Sequence, residues 1–136
     1  MTTVTTSKAF NIILWIAQVV LGGMFIMAGI MKSTTPITEL TPQLPWAADM
    51  PELLVSFIGV SELLGGLGLL LPSLLKIKPV LTPVAAVGLA VVMVFAIIFH
   101  ITRSEFPAIG FNLILALLAA FIAWGRFKKA PISAKK

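Results

Sequence analysis

Four long apolar stretches recur along the chain and are separated by segments that contain prolines or charged residues. They lie at about residues 10–31, 52–71, 79–101 and 107–125. An α-helix needs about 20 predominantly apolar residues to cross the hydrocarbon core of a bilayer. The prolines at positions 51, 79 and 107 suit the first turn of a helix, where the missing N–H has no intrahelical partner. The pattern therefore predicts four membrane-spanning helices.

The composition favours the same class of protein. The 136 residues are 59% hydrophobic and 11% charged, whereas a soluble domain has about 25% charged residues. A soluble fold of this length cannot bury so much apolar surface. We therefore expect an all-α fold, an integral membrane four-helix bundle that forms a single domain over residues 1–136. The chain has no cysteine, which excludes disulfides and thiol chemistry carried by this chain alone.

Basic residues are unequally distributed between the two sides of the predicted bundle. The termini and the second connection share one side, which carries Lys8, Lys76, Lys78, Arg126, Lys128, Lys129, Lys135 and Lys136. The opposite side carries only Lys32 and Arg103. Because cytoplasmic loops have an excess of Lys and Arg, we expect both termini to be cytoplasmic (N-in/C-in), in the bacterial inner membrane. The tail, residues 126–136, is expected to be disordered and to lie against anionic lipid rather than nucleic acid.

The connections differ in length. Short second and third connections make helices two, three and four antiparallel neighbours. The first connection, residues 32–51, is long and contains four prolines and Trp46. We expect Trp46 either to anchor the segment in the headgroup layer or to belong to a lid over the outer end of the bundle. For the first stretch, a signal peptide cleaved near Ala28 and Gly29 is the alternative to a membrane span.

The topology places one polar residue from each predicted helix in the outer half of the membrane: Lys32 at the outer end of the first helix, and Glu62, His100 and Asn112 in the other three. Glu62 lies about ten residues inside its span, which is about 15 Å at the helical rise. An isolated carboxylate at that depth is costly, so Glu62 should be protonated or paired. If the four side chains face inward, they line one outward-opening polar cavity. Gly59, Gly65 and Gly66 share the face of Glu62 and favour close packing of helices.

Structural interpretations of the same residues stay open. Glu62 and Asn112 can serve as hydrogen-bonding partners between helices, Lys32 as a snorkelling anchor or a partner of Glu62, and His100 as a contact to interfacial water. Arg103 and Glu105 are expected to form a surface ion pair that contributes little energy. One histidine and one carboxylate do not make a convincing metal site, so no metal is expected.

Several short stretches occur in a fixed order: Ala28-Gly29, Lys32, Gly59–Leu63, Gly65–Gly68, Pro72, Leu81–Pro83, Ala85-Ala86, Phe99-His100, Arg103, Glu105, Asn112 and Ala119–Arg126. On these stretches the chain resembles the DoxX-like membrane proteins over about residues 10–127. The resemblance implies a four-helix membrane bundle. It also implies recurring polar positions at Lys32, Glu62, His100, Arg103 and Asn112, which we take as candidate ligand-binding residues without a catalytic assignment. Some relatives belong to membrane oxidoreductase assemblies, including a thiosulfate:quinone oxidoreductase, and distant relatives are membrane chaperones.

Three functions follow as hypotheses. The first is an accessory membrane protein whose outer-half pocket binds a small amphipathic ligand, with quinone as the candidate cofactor, or which serves as a subunit of a membrane oxidoreductase assembly. The second is a partner-binding or chaperone-like module with no ligand. The third is an enzyme that acts on a lipophilic substrate, with Glu62 and His100 as an acid–base pair. The expected partners are the lipid bilayer, oxidoreductase subunits or further copies of the chain.

Overall fold

The computed structural model describes residues 7–135, and this part of the chain is helical and contains no strand. Its helices are α1 (Lys8–Thr34), α2 (Ile37–Leu40), a 3₁₀ turn (Pro45–Asp49), α3 (Glu52–Leu75), α4 (Leu81–Thr102) and α5 (Phe106–Trp124), which a π-helical turn (Gly125–Lys129) continues. Helices α1, α3 and α4, and α5 with its extension, are long and apolar enough to cross a membrane. The four predicted spans are therefore confirmed, and the orientation of the termini stays a prediction.

The observed helix ends differ from the predicted ones by a few residues. Helix α1 begins earlier than expected because the Ser7 side chain caps it, accepting a hydrogen bond from the Phe10 backbone N–H. Helix α3 continues past Pro72 to Leu75, because a proline near the end of a helix removes only one backbone hydrogen bond. It ends at Lys76, whose φ of 55° is left-handed.

The helices pack as two close pairs, α1 with α3 and α4 with α5, and α3 also contacts α4. Glycines allow the first pair to approach backbone to backbone. A Cβ atom on Gly29 would lie 2.5 Å from the Gly59 carbonyl oxygen, and one on Gly66 would lie 2.8 Å from the Gly22 carbonyl oxygen. The predicted packing role of these glycines is confirmed, and it fixes the register in which α1 meets α3.

The bundle has two chemically different ends. The loop end carries the segment between α1 and α3 and the turn between α4 and α5. The terminal end carries the start of α1, the turn between α3 and α4, and residues 125–135. Between them, a core of buried apolar side chains joins all four long helices, with Phe25, Leu69, Leu89, Ala119 and Ile122 among its members. Large apolar side chains also cover the outer surface, as expected of helices that face lipid.

The long first connection folds back over the loop end. Its Leu40 and Ala47 are buried against Val55 of α3. The Trp46 ring lies edge-on to Phe99 and His100 of α4, with centroid separations of 6.0 and 6.4 Å. These contacts favour the lid over the headgroup anchor, and residues 35–51 are called the lid below.

The expectation of a disordered tail from Arg126 onward is wrong for its first part. Residues Gly125–Lys129 form a π-helical turn, and Arg126 is only 3% exposed. The physical reason is that acceptors on α1, Gln18 and Asn11, take hydrogen bonds from the Arg126 guanidinium. Further along, the Lys135 backbone N–H donates to the Lys76 carbonyl.

Candidate functional site

A cavity of about 760 Å³ lies in the half of the bundle next to the loop end. All four long helices and the lid line it, and most of the lining is apolar. The larger apolar side chains are Met24, Phe25, Met31, Leu44, Trp46, Met50, Leu54, Phe57, Ile58, Met93, Phe95, Phe99, Phe111 and Leu115. Cavities of this size and character, with a few convergent polar groups, are typical of small-molecule sites.

Four of the five predicted site residues line this cavity, one from each long helix: Lys32, Glu62, His100 and Asn112. The structure therefore brings together the side chains that the sequence places at similar depth. Arg103 is not among the lining residues, and lies at the rim, where it contacts Asp49 and Glu105. A ligand-binding role for all five stays a prediction.

Lys32 and Glu62 form a buried ion pair across the α1–α3 interface. The Lys32 Nζ lies 2.5 Å from the Glu62 Oε1, and their side chains are 14% and 3% exposed. The expectation that Glu62 is paired is confirmed. The close α1–α3 approach at Gly29 and Gly59 sets this distance, because a Cβ on Gly59 would lie 2.8 Å from the Lys32 Cβ. The ammonium also lies 5.7 Å from the Trp46 ring centroid, so the pair contacts the lid.

His100 belongs to a chain of polar contacts that leads from the cavity to its rim. Its Nδ1 lies 3.0 Å from the Glu105 Oε1, and Arg103 Nε donates to the same oxygen at 2.8 Å. Arg103 Nη1 lies 2.8 Å from Asp49 Oδ2 of the lid. The Arg103–Glu105 pair is thus confirmed. Hydrogen bonding from His100 and then from Arg103 lowers the pKa of Glu105, although desolvation opposes the shift.

The hydrogen bonds of this chain of contacts also shift the pKa of Arg103. Hydrogen bonds to Asp49 and Glu105 raise the pKa of its guanidinium. The backbone makes this geometry possible, since Ser104 adopts a left-handed φ of 56° and the Glu105 N–H donates to the His100 carbonyl at 3.0 Å. The turn therefore places the Glu105 carboxylate beside the imidazole of His100, which lies five residues earlier in the chain.

The geometry also assigns the His100 ring nitrogens. An ionised carboxylate only accepts hydrogen bonds, so Nδ1 carries the proton that bonds to Glu105. Nε2 makes no hydrogen bond within residues 7–135 and is the nitrogen left for a ligand. The His100 side chain is only 8% exposed, so a partner for Nε2 has to enter the cavity.

Asn112 contributes to the cavity lining a carboxamide that has no hydrogen-bonding partner within residues 7–135. The residue is 9% exposed. Because the carboxamide opens onto the cavity, its polar atoms take their partners from whatever occupies that space. A carboxamide offers two N–H donors and one carbonyl acceptor. The cavity therefore contains an unused group able to bind a polar atom of a ligand.

Sequence reasoning missed two contributors to the site. It assigned Glu105 to a surface pair with Arg103 and overlooked its contact with His100; the spacing of five residues across a helix end was the available signal. It left Trp46 between two interpretations, because no local pattern shows where a long segment folds back. Arg126, at the other end of the bundle, was assigned to the tail although Gln18 and Asn11 are polar residues inside an apolar stretch.

Comparison with known proteins agrees with this structure. A model of the DoxX-like family matches residues 16–122, which is more than half of the chain and includes parts of all four long helices. No curated protein and no solved structure matches the chain. The resemblance noted from the ordered motifs is confirmed: the chain belongs to the DoxX-like family.

Proposed function

We propose that the loop-end cavity binds a small amphipathic ligand of the quinone type and that the protein is an accessory subunit of a membrane oxidoreductase assembly. In this proposal the membrane is the bacterial inner membrane, both termini are cytoplasmic, and the cavity lies in the outer half. The observation that carries the ligand proposal is the unpartnered Asn112 carboxamide in a largely apolar cavity. The subunit role is supported by the family resemblance.

A quinone ring has two oxygens on opposite sides, and the cavity offers groups for both. The Asn112 N–H₂ can donate to one oxygen. A neutral His100 imidazole accepts a hydrogen bond at Nε2 from a quinol hydroxyl. A protonated imidazole donates from Nε2 to a quinone carbonyl. The aromatic and methionine side chains between them supply the flat apolar contacts that the ring needs.

The Lys32–Glu62 pair gives the cavity a fixed electrostatic environment without a net charge. Glu62 Oε2 makes no hydrogen bond within residues 7–135, so this oxygen is the one that would hold or relay a proton at the ring. The other carboxylate oxygen, Oε1, is held by the Lys32 ammonium at 2.5 Å, which fixes the orientation of the carboxylate in the cavity wall.

An apolar tail has routes out of the cavity into the bilayer. Phe57, Phe95 and Phe111 line the cavity, yet they are 67%, 68% and 53% exposed on the outer surface. Side chains that reach both the cavity and the surface mark lateral openings between helices. An isoprenoid tail would lie there, against lipid, while the ring stays inside.

Bound quinone is directly measurable in the purified protein. Detergent-purified protein is extracted with organic solvent, and the extract is examined by oxidised-minus-reduced ultraviolet difference spectroscopy. We expect stoichiometric quinone, or saturable binding of an added short-tail quinone that weakens about tenfold in Asn112→Ala, the loss expected for one buried hydrogen bond. Leu117→Ala is the matched control, because Leu117 lies on the same helix and is 62% exposed to lipid. Protein that holds no quinone and binds none when it is added would rule out the proposal.

A further inference from the structure

A second polar cluster lies at the terminal end, centred on Arg126. The guanidinium donates from Nε to Gln18 Oε1 at 2.6 Å and from Nη1 to Asn11 Oδ1 at 2.7 Å and the Ala130 carbonyl at 2.9 Å. Nη2 is buried and makes no hydrogen bond within the described residues. Arg126 is therefore a buried cation with one unused donor nitrogen, which carries two N–H groups.

Within residues 7–135, no carboxylate forms an ion pair with this guanidinium. All three hydrogen-bonding partners are neutral oxygens. The five acidic residues of the chain are Glu39, Asp49, Glu52, Glu62 and Glu105, and they lie in the lid, in the α4–α5 turn or on the half of α3 next to the loop end. A buried charge without an opposite charge is strongly unfavourable, which makes an external anion the natural counter-charge.

A second cavity, of about 410 Å³, lies beside the guanidinium. Its lining includes Lys8, Asn11, Trp15, Lys76, Ala130 and Ser133. Three of these residues contact Arg126 directly: Asn11 and Ala130 by hydrogen bonds, and Trp15 by its ring, whose centroid is 5.4 Å from the guanidinium carbon. Arg126 itself is not a lining residue. The guanidinium therefore lies one layer behind the cavity wall, and the two lysines, Lys8 and Lys76, are the basic residues that line the cavity.

The surrounding network prevents Arg126 from turning away. Gln18 Nε2 donates to the Leu69 carbonyl at 2.7 Å and to Ser73 Oγ at 3.3 Å. The Ser73 hydroxyl lies 2.6 Å from the Thr82 hydroxyl. Groups of α3 and α4 therefore hold Gln18 in place, and Gln18 in turn accepts the hydrogen bond from the guanidinium, so the network is built before any ligand arrives.

We propose that this cavity binds a phosphate-type oxyanion, which Lys8 and Lys76 contact and whose charge compensates Arg126. Phosphate oxygens accept several hydrogen bonds from ammonium and hydroxyl donors at once. The cavity lies at the end of the bundle where α1 begins and α3 ends, and the ends of membrane-spanning helices meet the headgroup layer. The oxyanion therefore comes from an anionic lipid or from free phosphate. The proposal is independent of the ligand proposed for the loop end.

The test uses full-length protein in a neutral detergent and follows its thermal unfolding against added lysophosphatidylglycerol, lysophosphatidylcholine or inorganic phosphate. We expect saturable stabilisation by the anionic lysolipid and a weaker effect of the zwitterionic one. Lys8→Gln and Lys76→Gln should each raise the half-saturating concentration about fivefold, the effect of one lysine near a membrane surface. Both side chains belong to exposed residues, so folding is not at risk.

Lys78→Gln is the matched control, because Lys78 lies in the same turn but does not line the cavity. If inorganic phosphate stabilises the protein and Lys8→Gln and Lys76→Gln weaken this effect too, the bound oxyanion is free phosphate. If only the anionic lysolipid stabilises the protein, the bound oxyanion is a lipid headgroup. Either result supports the site. Absence of saturable stabilisation by every probe, or an equal loss in Lys78→Gln and Lys76→Gln, would overturn it.

Discussion

The two ends of the bundle bury charge in different ways. At the loop end, Lys32 and Glu62 compensate each other, and the neutral carboxamide of Asn112 is a side chain that makes no hydrogen bond within residues 7–135. At the terminal end, the buried group is a cation, Arg126, and all its partners are neutral. For this reason we propose an uncharged polar ligand at one end and an anion at the other. In both proposals the charge of the unsatisfied group, more than the polarity of the cavity, decides the class of ligand.

The largest loss of stability is expected when the Lys32–Glu62 ion pair at the loop end is broken. Glu62→Ala leaves the Lys32 ammonium beside the cavity without its counter-charge, and we expect a loss of about 3 kcal/mol in the free energy of unfolding. The measurement is denaturant-induced unfolding in detergent micelles. The double variant Lys32→Met/Glu62→Leu, which removes both charges, should regain most of the loss; a double variant as unstable as the single one would contradict this role of the pair.

A slightly smaller loss of stability is expected when the α1–α3 backbone contact that positions the Lys32–Glu62 pair is disrupted. Gly29→Ala places a methyl group 2.5 Å from the backbone of α3 and should cost about 2 kcal/mol through forced separation of the helices. Gly23→Ala is the control, since nothing lies within 4 Å of its added Cβ. Alanine has the higher helix propensity by about 1 kcal/mol, so this control should be neutral or stabilising. Equal unfolding free energies for the two variants would show that α1 and α3 are not in backbone contact.

At the terminal end we expect a loss of about 1–2 kcal/mol for Gln18→Leu. The substitution removes the acceptor of Arg126 Nε and the donor to Leu69, and unpaired buried groups cost about this much each. Part of the loss is offset because leucine is apolar and of similar size. The measurement is again unfolding in micelles, with Val19→Leu, at an exposed neighbouring position, as the control. A neutral effect of Gln18→Leu would mean that Arg126 does not depend on the cluster.

The smallest change in stability is expected from Glu105→Gln, at the rim of the loop-end cavity. Hydrogen bonds from His100 and Arg103 lower the Glu105 pKa below its usual 4.5. The folded state therefore favours the ionised carboxylate, and its stabilisation is present above the usual value and lost as the pH falls through the lower, folded-state pKa. We expect the difference in unfolding temperature between the wild type and Glu105→Gln to be small near neutral pH and to vanish under acid conditions. A difference that grows on acidification would contradict the assignment.

One physical reason explains why the sequence predicted both the four spans and the convergence of Lys32, Glu62, His100 and Asn112 on one cavity. Lipid requires long apolar helices, so a polar residue such as Glu62 or Asn112 stands out against its neighbours and its depth follows from the helical rise. Four antiparallel helices then place residues of similar depth at the same level. This reasoning needs no long-range contact, which explains its success.

The remaining features depend on contacts between distant residues. Arg126 and Gln18 are 108 residues apart in the chain, and nothing local distinguishes an arginine that turns inward from one in a basic tail. Trp46 lies over His100 only because Leu40 and Ala47 bury themselves against α3. The π-helical turn at Gly125–Lys129 likewise follows from the partners of Arg126 rather than from its own sequence.

The most direct test of the central claim is a density map of the detergent-purified protein at a resolution that shows side chains. The account predicts non-protein density inside the loop-end cavity, in contact with the Asn112 carboxamide and the His100 Nε2, and continuing toward the lipid face beside Phe57, Phe95 or Phe111. A cavity closed by its own side chains, with Asn112 hydrogen-bonded to a neighbouring helix, would contradict it.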